Sequence, residues 1–226
     1  MCVNYTPTRK ELLAEKFSVS IDPAAEWKSE CWQDYPAPII RHGDNGKREA
    51  LLAAYSMIPK SKIPPGVKRF STMNARAETI GQLRSYSKQW REGNLCLVPM
   101  QNFYEPNYES GHAERWRIGM KDGSDFAVAG LYKRWEEPEG RESYSFTQIT
   151  INSDEHPLMR RFHKPGDEKR SLVILTADAY DDWLGCKDTE RARSFLTLYP
   201  AELMVASAAL IAPKKKIELP KNISLF

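Results

Sequence analysis

Between positions 95 and 152 the chain carries a series of strand-length runs rich in β-branched and aromatic residues, and this series limits the fold more than any other feature. LCLV (95–98) and NFY (102–104) are followed by WRIGM (116–120), a KDGS turn, FAVAGLYKRW (126–135), an EEPEGRE turn and SYSFTQITIN (143–152). Runs of this kind divided by Gly-containing turns predict an antiparallel meander. PAPII (36–40), SLVIL (171–175) and residues 204–209 read as further extended segments. REALLAAYSM (48–57) fits a buried strand or a short helix, and Pro59 ends either. Helices are expected over 8–16, with Thr8 as N-cap and Glu11 at the capping-box position, and over 78–91. Two more are expected: AYDDWLGC, capped by Thr176 and Asp178, and 189–198. Strands dominate without strict βαβ alternation. The expected fold is α+β: a single domain over 1–226 with a mostly antiparallel, barrel-like β-sheet and surrounding short helices. Its core covers about 2–213, and residues 214–226 form an exposed C-terminal tail.

Charge narrows the partners only a little. Thirty-three Lys and Arg against 30 Asp and Glu give a net charge of +3 over 226 residues. That permits a nucleic-acid partner without demanding one. Four cysteines (Cys2, Cys31, Cys96, Cys186) lie far apart with no CxxC pair, so no structural metal is expected. The first twenty residues carry Arg9, Lys10, Glu11, Glu15 and Lys16 and no apolar segment, which argues against a signal peptide. No stretch approaches the roughly 18 apolar residues of a membrane span. The expectation is a cytoplasmic protein with reduced thiols.

Cys2 follows the initiator Met. Removal of Met1 before this small residue would leave a free 1,2-aminothiol. A neutral α-amine, with a reference pKa of about 7.7–8.0, condenses with an aldehyde to an imine. The adjacent thiol can then close on the imine carbon to a thiazolidine. Position alone favours an ordinary buried cysteine. Three polar segments lie beside strand-like sequence. In TMNARAET (72–79), Asn74, Arg76 and Glu78 share one face if the backbone is extended. The same residues also fit a helix start capped by Asn74. In CLVPMQNFYEP (96–106), Glu105 ends an apolar run. Half-buried, it could shuttle protons; otherwise it is an exposed loop residue. Residues 156–170 form a long basic loop with His163 as acid–base candidate. Arg160, Arg161, Lys164, Lys169 and Arg170 could line a phosphate path, or the loop could simply be solvated.

Taken together, Met-Cys at the start, NARAET (74–79), CLVP…FYE (96–105) and TIN…HPLM…FHKPGDEKRSLVIL (150–175) resemble the SRAP family (SOS response-associated peptidase, the abasic-site processing proteins). The resemblance implies a barrel-like fold and a sensor of abasic sites in single-stranded DNA. It implies a covalent thiazolidine DNA–protein crosslink through Cys2, with autoproteolytic removal of any residue before it. By the same resemblance Asn74 lies near the reacting sugar oxygen and Arg76 on a flanking phosphate. Glu105 is acid–base beside the α-amine, His163 assists ring opening, and Thr150 lines the DNA groove. Tyr55 stands where the family carries Trp, as a base contact, and Arg161, Lys164 and Arg170 fall on the phosphate path. No cofactor or metal is implied. The partner is single-stranded DNA containing abasic sites, bound by a monomer that is nucleoid-associated when on DNA. Three departures stand out: Met-Cys-Val-Asn for Met-Cys-Gly-Arg, Tyr55-Ser56-Met57-Ile58-Pro59 for Trp-Gly-Leu-Ile-Pro, and FYEP for FYEW. The insert KPGDEKR (164–170) fits a bacterial or phage-like branch. Two other classes stay open: a cysteine peptidase or N-terminal-nucleophile amidase on other substrates, which would use the same Cys2, Glu105 and His163, and a non-catalytic single-stranded DNA-binding module in which Cys2 is incidental and Glu105 and His163 have no role.

Overall fold

A computed structural model describes residues 3–209; Cys2 and the expected tail at 214–226 lie outside the described residues. In chain order the elements are β1 (Tyr5–Pro7), α1 (Lys10–Phe17), β2 (Pro36–His42), β3 (Arg48–Tyr55), β4 (Asn74–Arg76), α2 (Ser87–Arg91) and β5 (Leu95–Asn107). They continue with β6 (Glu114–Met120), β7 (Phe126–Glu136), β8 (Glu142–Asn152), β9 (Arg170–Leu172), β10 (Ile174–Leu175), α3 (Tyr180–Gly185), α4 (Thr189–Ser194) and β11 (Met204–Ala208). Strands β7, β8, β3, β2 and β5 pair in that order, and β5 pairs back onto β7, which closes a five-stranded barrel. Among the described residues only β3 and β4 run parallel to their partner β8; the other ladders are antiparallel. This is the α+β, mostly antiparallel, barrel-like fold expected from the sequence.

Period-two side-chain alternation builds two cores from the same strands. Leu95 and Leu97 of β5 with Ala127, Ala129 and Leu131 of β7 face out, under Leu13, Phe17, Trp90, Trp183 and Leu184 of the helices. Cys96, Val98 and Met100, with Ile39, Tyr55, Val128 and Phe146, face inward. Gly130 leaves no room for a side chain between β7 and its neighbours. A Cβ there would lie 2.8 Å from the Thr147 carbonyl oxygen and 2.9 Å from Cys96 Sγ.

Several local expectations change. The ambiguous run at 48–57 is strand β3. LCLV and NFY are one strand, continuous through Pro99, whose carbonyl accepts from Thr8 N–H at 3.2 Å. Thr8 is thereby held in sheet pairing, so α1 starts later, at an Arg9 N-cap with no side-chain bond. The meander is not a row of neighbours, because β5 lies between β6 and β7 and pairs with both. SLVIL is split: β9 pairs with β8 and β10 with β7, and Val173 bridges them through bonds to Ile149 and Ala129. The expected helix at 78–91 shrinks to α2. Ile80 is drawn into the core, Tyr86 donates its hydroxyl to the Asn74 carbonyl at 3.1 Å, and Gly81 in this stretch is a poor helix former. Helix α3 has no side-chain cap from Thr176 or Asp178, whereas α4 is capped by Asp188, which accepts from Glu190 and Arg191 N–H. Among the described residues no helix is long and apolar enough to cross a membrane.

Candidate active site

The site grows from the far end of β5. There Phe103, Glu105 and Asn107 alternate inward while Tyr104 and Pro106 lie on the other face. Glu105 is 3% exposed, so it is a strand residue inside the protein, neither half-buried nor in a loop. A buried carboxylate needs a partner. His163 supplies one, its Nε2 3.2 Å from Glu105 Oε2, with its side chain 6% exposed.

Five contacts bring a histidine from a distant loop to that place. Phe162 is fully buried, packs edge-on against Trp116 at 6.1 Å and bridges to Asn107. His163 N–H donates to the Pro106 carbonyl at 2.9 Å. Asn107 Nδ2 donates to the Arg161 carbonyl at 3.2 Å. Lys169 Nζ donates to the His163 carbonyl, also at 3.2 Å. The His163 backbone adopts φ +67°, a left-handed conformation uncommon outside glycine. Its Nδ1 has no hydrogen-bond partner among the described residues. A cleft of about 730 Å³ opens beside it, lined in part by Tyr108, Arg160, Arg161 and Lys169.

The N-terminal segment reaches the same strand. β1 pairs antiparallel with β5, Tyr5 opposite Phe103, and Tyr104 N–H donates to the Asn4 carbonyl at 3.2 Å. Asn4 thus meets β5 one residue before Glu105. Residue 2, two peptide units further back, lies outside the described residues.

Strand β4 is extended, so Asn74 and Arg76 share a face. β4 runs parallel to β8, with Asn74 opposite Gln148 and Arg76 opposite Thr150. The helix-start reading of this segment is therefore replaced by a strand. Arg76 is half exposed and its guanidinium is 2.6 Å from Glu168. Lys164 is exposed at the tip of the loop.

Other expected contact residues have different surroundings. The Arg170 side chain is only 2% exposed. It forks onto Glu78 with two bonds of 2.9 Å, reaches Glu168 at 2.7 Å and donates to the Thr150 carbonyl at 2.7 Å. Burial alone would raise the Glu78 carboxyl, but the Arg170 hydrogen bonds and charge outweigh it and hold the pKa below its ordinary value. Arg170 is therefore a brace between β9, β8 and the turn after β4, with no open face for a phosphate. Thr150 is likewise buried, its hydroxyl 3.4 Å from the Ala75 carbonyl, so it fastens β4 and does not line an open groove. Tyr55 is fully buried, stacks on Phe146 at 5.1 Å and donates to Gln148 at 2.9 Å, which leaves no ring face for a base. Arg161 is clamped in a bidentate pair by Glu109, both bonds 2.8 Å. That pairing holds the Glu109 carboxyl down at about 2.

Three residues with structural parts in the site were not singled out from sequence. Asn107 could have been found, since it continues the alternation of Phe103 and Glu105. His156 accepts at Nδ1 from Leu158 and Met159 N–H, which fixes its proton on Nε2, facing the Tyr199 carbonyl at 2.8 Å. It is the brace of the long loop. Glu168, which faces Arg76, has no local signal that sets it apart from its charged neighbours.

The chain has relatives among known proteins. The profile of the family described as SOS response associated peptidase (SRAP) matches residues 1–209. The chain is 35% identical over 162 residues to the abasic site processing protein YoqW of Bacillus subtilis (strain 168), an alignment covering 67% of this chain and 69% of YoqW. It is 24% identical over 141 residues to the abasic site processing protein HMCES of Rattus norvegicus, covering 50% of this chain and 40% of that one. A crystal structure of a protein from Bordetella bronchiseptica matches with a TM-score of 0.82 at 34% identity, covering 93% of this chain and 100% of that one. With a family profile that spans all the described residues, relatives of this kind and a shared fold, the chain belongs to the SRAP family.

Proposed function

We propose that this protein processes abasic sites in single-stranded DNA by capturing the ring-opened sugar aldehyde on Cys2. One observation carries the reading: a buried Glu105–His163 pair lies at the end of the strand that also holds Asn4, two residues from Cys2. Family membership and the names of the relatives point the same way.

An abasic site is mostly a closed hemiacetal. His163 assists proton transfer at the ring oxygen and so opens the sugar. Glu105 accepts a proton from the α-amine, which attacks the aldehyde carbon and expels water to give an imine. The Cys2 thiol then adds to the imine carbon and its proton passes to nitrogen, closing a five-membered thiazolidine. The sum is one C–N and one C–S bond formed and one water released. Without the thiol, the imine is free to promote β-elimination and strand cleavage. Asn74 positions the sugar oxygen. The exposed cations Arg76 and Lys164 contact phosphates, which position the strand without reading its sequence. Removal of whatever precedes Cys2 frees the amine, and the same nucleophile and acid–base pair suit an autoproteolytic step.

The test is denaturing electrophoresis of tag-free protein with an oligonucleotide carrying one abasic site. A heat-stable shifted band that disappears in Cys2→Ala is expected. A band that persists in Cys2→Ala overturns the nucleophile assignment. No band from protein confirmed to begin at Cys2 overturns the reading and favours a peptidase or a simple binding module.

A further inference from the structure

Arg76 offers a planar fork at the surface, a shape that matches carboxylate and phosphate alike. In this protein one arm of the fork already holds a carboxylate. Glu168 Oε2 lies 2.6 Å from Arg76 Nη1, while Oε1 accepts from Arg170 Nη1 at 2.7 Å and Asn152 Nδ2 at 3.1 Å. The carboxylate is therefore held from behind by a buried, fixed arginine and a side-chain amide and presented to an exposed one. Arg170 first, and Asn152 with it, keep Glu168 ionised by holding its pKa below the ordinary range.

We propose that Glu168 is a built-in phosphate surrogate, a carboxylate that a DNA phosphate must displace from Arg76. The inference rests on the abasic-site reading in taking DNA as the incoming anion. Glu168 is fixed on the protein, so its effective concentration at Arg76 is high and independent of DNA. It weakens binding of undamaged strand, and it leaves the covalent step to hold the lesion. Asp167, its neighbour, carries the same charge on the same loop, is exposed, and has no side-chain partner among the described residues. It serves as the control for charge alone.

The experiment measures fluorescence anisotropy of a labelled, lesion-free single strand with wild type, Glu168→Gln, Glu168→Ala, Asp167→Asn, Arg76→Ala and the Arg76→Ala/Glu168→Gln double variant. None of these changes touches Arg170 or Glu78, and thermal unfolding checks that each is folded. Glu168→Gln and Glu168→Ala are expected to bind about two- to fivefold tighter, the range for a partly exposed ion pair. The gain should shrink with added salt. Asp167→Asn should change affinity less, and the double variant should bind no tighter than Arg76→Ala. Equal or weaker binding by folded Glu168→Gln and Glu168→Ala overturns the proposal. So does a gain that Asp167→Asn reproduces, or one that survives loss of Arg76. If wild type forms the Cys2 adduct while Glu168→Gln is unchanged, the surrogate fails alone. If no variant binds the strand, it fails together with the DNA reading.

Discussion

Replacing Arg170 with Ala removes the most connected side chain of the site. The guanidinium donates to Glu78 twice, to Glu168, and to the Thr150 carbonyl, and is 2% exposed. Its loss leaves Glu78 without its cation, Glu168 with Arg76 alone as its cation, and the buried Thr150 carbonyl with the Ala77 N–H in place of two donors. Breaking a fully buried pair in this way costs about 3–5 kcal/mol. Both carboxylates keep some solvent here, with side chains 47% and 32% exposed, which relieves part of the cost. The expected loss is about 2–4 kcal/mol, and at roughly 2–4 °C per kcal/mol for a chain of this size it is plain in a thermal scan. Urea unfolding supplies the free energy, with an unchanged m-value as the check on two-state behaviour. Arg170→Lys, which keeps the charge and loses the fork, should fall between. The pH dependence has a definite sign. Glu78 is depressed in the folded state, so its contribution is full above the ordinary carboxylate pKa and fades as pH falls through the folded value. The gap between wild type and Arg170→Ala should therefore narrow in acid. A variant within about 0.5 kcal/mol of wild type at neutral pH would refute the brace and return Arg170 to the surface class.

Three other expectations follow from the geometry. Gly130→Ala forces a Cβ to within 2.8 Å of a backbone oxygen and should cost about 1–3 kcal/mol in urea unfolding; no loss would mean that the barrel wall yields. The Glu109 carboxyl, held at about 2 by Arg161, should titrate near that value by NMR in wild type and return towards the ordinary range in Arg161→Ala; an unmoved midpoint would rule out the clamp as its cause. Glu105→Gln and His163→Ala should each slow adduct formation by roughly 10²–10⁴-fold with reversible strand binding retained, and rates within a factor of about two would remove them from proton transfer.

The fold was legible because period-two alternation and Gly turns are local signals, and they named most strands of the barrel. Barrel closure was not local: nothing in LCLVPMQNFYEPN says that its first half pairs with β7 and its second with β6. The helix expected at 78–91 failed because Ile80 and Tyr86 are claimed by the core, which outweighs spacing. At the site, residue type and order pointed to Glu105 and His163, which lie in contact although 58 positions separate them in the chain. What residue type could not tell was which arginine faces water. Arg76, Arg161 and Arg170 look alike in sequence, and their carboxylate partners, Glu168, Glu109 and Glu78, decide that Arg170 is internal and Arg161 clamped. The burial of Tyr55 and Thr150 is not legible for a related reason, since it comes from the β3–β8 and β4–β8 pairings and not from their neighbours in sequence.

The most direct measurement is the intact mass of the purified adduct with one abasic oligonucleotide, followed by peptide mapping. The expected product is protein beginning at Cys2 plus oligonucleotide minus one water, with the modification confined to the N-terminal peptide. An adduct that retains Met1, or one mapped to a lysine elsewhere, would contradict capture by the 1,2-aminothiol.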